Sequence, residues 1–111
     1  MTYNVHLVPR ALQEYDEIVR FLTGRSPQGA RAWMARWEQV LADLANRPLI
    51  FSLAPESSAY EQEIRQLLFK TRRGRMYRAI FTVAGTDVFV LNIRGPGQDL
   101  LPPDGLGAII R

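Results

Sequence analysis

The period of the apolar positions changes twice along the chain. Tyr3, Val5 and Leu7 alternate with Asn4 and His6, the two-residue period of a half-buried strand, and Pro9 ends the run at a position suited to the first turn of a helix. Ala11, Tyr15, Ile18 and Leu22 then recur at three- to four-residue spacing, which predicts an amphipathic helix. Gly24 is expected to close that helix in a left-handed conformation, Ser26 to cap the next one and Pro27 to occupy its first position. The second helix is predicted over about Pro27 to Asn46, with Ala30, Trp33, Trp37, Leu41 and Leu44 on one stripe, and Pro48 forbids its continuation. So short a connection predicts an antiparallel helical hairpin.

After the polar passage Pro55 to Ser58, the segments IRQLLFK, RMYRAIFTV and DVFVLNIR are rich in β-branched and aromatic residues and predict three strands. Ala84, Gly85 and Thr86 separate the last two, short enough to demand an antiparallel hairpin, with Gly85 supplying a positive φ. Thr71 to Gly74 serves the preceding pair. Past Arg94 the run GPGQDLLPPDGLG has too much Gly and Pro for regular structure, so an irregular tail is expected over about residues 95–111. The predicted order is β-α-α-β-β-β, an α+β fold in which a helical hairpin packs on a small, mainly antiparallel sheet. With 111 residues and no internal repeat or composition break, the chain is expected to be one domain.

Composition narrows the chemistry. The absence of cysteine excludes thiolate zinc sites, iron–sulfur clusters, disulfides and cysteine nucleophiles, and a single histidine excludes His-pair mechanisms. Neither a metal nor an organic cofactor is expected. The amino terminus shows no basic leader followed by an apolar run, and nowhere does the sequence approach the ~20 apolar residues of a membrane span, so a cytoplasmic protein is expected.

Net charge is +3, and its distribution says more than its size. Residues 1–46 carry five arginines against five acids, whereas Arg65, Lys70, Arg72, Arg73, Arg75 and Arg78 lie in a stretch, residues 64–86, without one acid. If the hairpin loop holds three residues, Arg78 sits across from Asn92 with Arg94 on the same face. Such a guanidinium pair beside an amide suits phosphates or acidic side chains, because Arg stays charged and offers a planar fork of donors. Simpler readings stand beside this one: the loop arginines are solvated, and Arg78 pairs with Glu61 or Glu63. Trp33 and Trp37 belong to the core by their stripe, His6 to a strand surface, and Gly95-Pro96-Gly97 to a turn, since no following helix or GK[ST] makes it a phosphate loop.

The order of elements, Arg65, the Tyr77-Arg78 pair opening a strand, Phe81 three residues on and the aliphatic run from Val88 to Ile93 together resemble the RelE/ParE superfamily of bacterial type II toxin–antitoxin toxins, or plasmid stabilisation proteins. The hairpin with Ala30, Trp33 and Leu44, followed by Asn46-Arg47-Pro48, is similar as well, and the likeness runs from Tyr3 to about Leu101. It implies a growth inhibitor held inactive by a cognate antitoxin. In one branch such toxins enter the ribosomal A site and cut mRNA by metal-independent general acid–base chemistry; in the other they poison DNA gyrase without a nuclease site. By this resemblance Arg78, Arg65 and Arg94 are the candidate catalytic residues, and Arg78 would stabilise phosphate charge. Lys70, Arg72, Arg73, Arg75 and Asn92 are candidates for binding RNA or a partner.

The basic face favours cleavage. Leu67, at a position where nuclease members carry a second basic residue, and a tail without Tyr or His to act as base favour gyrase. A non-toxic module that binds RNA or protein is a third reading. Homodimer and toxin–antitoxin hetero-oligomer both stay open. On the nuclease reading Arg78→Ala abolishes growth arrest and leaves stability nearly unchanged, as an exposed substitution would.

Overall fold

A computed structural model describes residues 2–96. The chain runs β1 (Asn4–Leu7), α1 (Pro9–Arg25), α2 (Pro27–Asn46), β2 (Arg65–Phe69), β3 (Tyr77–Ala84) and β4 (Asp87–Arg94), with short 3-10 turns at Pro48–Ile50 and Pro55–Ala59. The sheet order is β1-β4-β3-β2, antiparallel except that β1 lies parallel to β4. The expected element order and the α+β architecture are therefore present. The helical hairpin carries the chain from one edge of the sheet to the other, and the β2-β3-β4 meander returns it to β1. The irregular tail was expected on residues that, beyond 96, lie outside those described.

One residue makes the corner between the helices. Ser26 is extended (φ −162°, ψ 110°); its N–H closes α1 on the Leu22 carbonyl at 2.8 Å, and its hydroxyl accepts from Gly29 N at 3.0 Å to cap α2. Helix α1 thus continues through Gly24 to Arg25, and Gly24 is not in the left-handed region expected of it. With Ser26 turning the chain in extended geometry, no positive φ is required there. Trp33 and Trp37 stack in parallel at 5.9 Å, one helical turn apart, and meet Phe69 and Tyr77 from β2 and β3. Val40 and Leu44 continue the stripe without exposure. Two large aromatics at i, i+4 thereby lock α2 onto the sheet.

The β3–β4 register corrects the expected one. Ala84 pairs with Asp87, so the hairpin loop is the two residues Gly85 and Thr86, with Gly85 at φ 62° as two-residue loops require. A bulge between Ile80 and Phe81 on this ladder then shifts the pairing by one, with Phe81 opposite Val90 and Ile80 opposite Asn92. Arg78 consequently faces Arg94 and not Asn92.

The face turned away from the helices is not open over its whole width. Ile80 and Thr82, which share the Arg78 side of β3, are buried because the connection before β2 folds against that side. Residues 52–54 pair with the start of β2, through Gln66 N to Ser52 O at 3.0 Å and Ala54 N to Ile64 O at 2.7 Å. Thr82 Oγ1 donates to the Glu63 carbonyl at 3.0 Å, and Ile64 N to Ser57 Oγ at 2.9 Å.

Candidate functional site

Arg78 is the residue on which most of the expected chemistry rests, and its guanidinium is already engaged. Nη1 donates to Glu56 Oε1 at 3.1 Å and to Gln66 Oε1 at 2.9 Å, while Nη2 donates to Glu56 Oε2 at 2.8 Å. This is a fork-to-fork pair with an amide closing a third bond. The Glu56 side chain is 2% exposed and that of Arg78 16%, so the pair lies beneath the surface. The acid comes from the Pro55–Ala59 turn, not from Glu61 or Glu63.

Arg65 is spent on structure as well. It alternates with the buried Leu67 and Phe69 and pairs across the ladder with Phe81, whereas Arg78 is opposite Leu68, so the two arginines lie on opposite faces of the sheet. Its Nη1 donates to the Phe51 carbonyl at 2.7 Å and Nη2 to Glu63 Oε1 at 3.1 Å, tying the link after α2 to the strand. Leu67, expected on the concave face, is 2% exposed and belongs to the helix side; Gln66 holds the place beside Arg78.

Asn92 and Arg94 turn toward α1. Asn92 is fully buried, and its Nδ2 donates to both oxygens of Glu14, at 3.2 and 3.3 Å, while Ile93 N donates to Glu14 Oε1 at 2.9 Å. Burial raises the Glu14 pKa above its ordinary value; the bonds from Ile93 and Asn92 and the charges of Arg10 and Arg94 oppose the rise. Of the expected catalytic trio, only Arg78 and Arg94 come together, as a cross-strand pair.

Lys70, Arg72, Arg73 and Arg75 stand apart from that trio on the exposed β2–β3 loop. The turn closes with Gly74 N on the Thr71 carbonyl at 3.2 Å, which sets Arg72 and Arg73 at its two central positions. A Cβ on Gly74 would collide with the Thr71 hydroxyl, so a substitution there requires that hydroxyl to turn away. His6, on the outer surface of β1, pairs with Asp87 at 2.9 Å and stacks on Phe89. Among the described residues no group of three or more His, Cys, Asp or Glu side chains is placed to hold a metal ion, and no helix is long and apolar enough to cross a membrane.

Glu56, Gln66 and Glu14 were not among the expected site residues. For Glu14 a signal exists: it lies between Ala11 and Ile18 at helical spacing, an acid on the apolar stripe. Glu56 has none, since it looks like any acid of a polar connection.

A helical hairpin on a four-stranded sheet whose first strand joins its last in parallel, with arginines clustered on β2, β3 and their loop, defines a small α+β toxin fold. Residues 5–100 match the family described as ParE toxin of type II toxin–antitoxin system, parDE, and the chain belongs to that family, within the RelE/ParE superfamily. No curated protein gives a significant match to the chain.

Proposed function

We propose that this toxin arrests growth by binding a protein target in the cytoplasm, as a gyrase inhibitor, and not by cutting mRNA on the ribosome. The observation that carries the reading is the engagement of Arg78. A guanidinium that stabilises a phosphorane-like transition state must face the reacting phosphate, whereas this one is forked onto a buried carboxylate. Freeing it would leave Glu56 charged and without its partner, a cost that phosphate binding must first overcome. Arg65 points to the other face and closes a backbone loop. Asn92 serves Glu14.

A cognate antitoxin is the partner the family implies, and its release is what activates the toxin. Pulse labelling tests the target. In the minutes after tightly controlled induction, thymidine incorporation is expected to fail before methionine incorporation. Methionine failing first would reinstate the ribosome, with Arg78, Arg65 and Arg94 as active-site residues. No change in either would leave a non-toxic binding module.

A further inference from the structure

Positive charge without an ion-pair partner gathers away from the sheet face, around a groove of about 970 Å³ between the α1–α2 corner and the β2–β3 loop. Arg25 stands on one wall and Arg72, Arg73 and Arg75 on the other, and none of the described residues lining it is acidic. None of these four arginines makes an ion pair with a described residue. The turn that carries Arg72 and Arg73 is closed by its own hydrogen bond, from Gly74 N to the Thr71 carbonyl, so these two side chains project from a defined backbone.

The lining adds one further feature. Phe21 is 59% exposed, with the Arg25 guanidinium 5.4 Å from its ring centroid, so an aromatic face and a cation are presented together.

We infer that this groove binds single-stranded nucleic acid, its phosphates on Arg25, Arg72, Arg73 and Arg75 and a base stacked on Phe21. Charge complementarity selects the occupant. Four arginines with no acid among them match a chain bearing one negative charge per residue, and the guanidinium fork fits phosphate oxygens in a bidentate manner. A basic track beside an exposed aromatic is the arrangement by which proteins hold single strands without reading sequence. The inference concerns the isolated chain and does not depend on which cellular target the toxin attacks.

Fluorescence anisotropy of labelled oligothymidylate and oligouridylate, roughly twelve nucleotides long, against the purified full chain tests it. Saturable binding is expected at low salt, with log K falling against log salt at a slope of about −2 to −3, as three or four phosphates on a single strand give. Arg72→Gln with Arg73→Gln should weaken binding about tenfold and flatten that slope by about 1.4. Phe21→Ala should weaken it about tenfold by removing the stack. Arg36→Gln, an arginine outside the groove, should change it less than about twofold.

Five results would overturn the assignment. No saturable binding at low salt removes the site, and an equal loss from Arg36→Gln reduces it to net charge. Tighter binding of a duplex of the same length, or no effect of Phe21→Ala, removes the single-strand stacking. Polyglutamate of matched charge binding as tightly as the oligonucleotides makes the groove an acidic-peptide site instead.

Discussion

At Arg78 the same side chain has opposite meanings in sequence and structure. On an exposed strand, truncation to alanine would cost next to nothing; forked onto a carboxylate that is 2% exposed, it strands a buried charge. Loss of one member of such a pair typically costs 3–5 kcal/mol, so Arg78→Ala should lower unfolding free energy by about 3 kcal/mol in urea titrations. Adding Glu56→Gln should recover much of that loss, because the charge left behind is then gone. A null effect of Arg78→Ala on stability would mean that the pair is not formed in solution.

Glu14 offers a second test at this scale, through pH. Its folded pKa is raised, so the folded state pays to ionise it: stability is full below the unfolded value near 4.5 and declines as pH rises through the folded value. Glu14→Gln keeps an acceptor for Ile93 N and carries no charge to bury. Its melting temperature should therefore exceed that of the wild type at neutral pH, and the gap should close as pH falls below about 4.5. A gap independent of pH would point to packing and not to the carboxyl. Glu14 was legible as an anomaly on an apolar stripe, but its partners were not, because Asn92 and Ile93 lie 78 and 79 residues away. The Arg78–Glu56 pair was hidden for the same reason: no periodicity links a turn to a strand 22 residues on.

Among the elements, the helices were readable nearly to their ends because their signals are local. The predicted span of α2 coincides with the observed Pro27–Asn46, set by a serine cap, a proline at the first position and an asparagine before Arg47 and Pro48. Ser26 is the cap of one helix and the corner of two, so Ser26→Ala should cost about 1 kcal/mol and Ser26→Gly only a few tenths, measured by chemical denaturation. A larger loss from glycine than from alanine would show that the corner's backbone matters more than its hydroxyl bond. Strand identity was equally plain from β-branched runs. Register was not, because a bulge beside Leu91 adds one residue to β4 and no local signal marks where the extra residue sits. Together with the shorter hairpin loop, that extra residue sets Arg78 opposite Arg94 and Asn92 opposite Ile80.

Over the whole molecule, sequence located the positive charge but not its division into two kinds. On the sheet it is neutralised internally by Glu56 and Glu63; on the β2–β3 loop and at the end of α1 it is left for solvent or a ligand. A cognate antitoxin that carries acidic residues should bind this basic chain less tightly as salt rises, which titration calorimetry at several ionic strengths would show. An affinity unaffected by salt would place the antitoxin on apolar surface, where Leu49, Ile50, Leu53 and Leu68 are each about half exposed or more.

The parallel pairing of β1 with β4 bears on synthesis. Among the described strands, β1 pairs only with β4, the last of them in chain order, so β2, β3 and β4 must all be made before Val5 and Leu7 find their places. Closing so long a loop comes late in folding and is slow relative to local contacts. A growing chain on the ribosome thus lacks the described sheet until β4 has emerged.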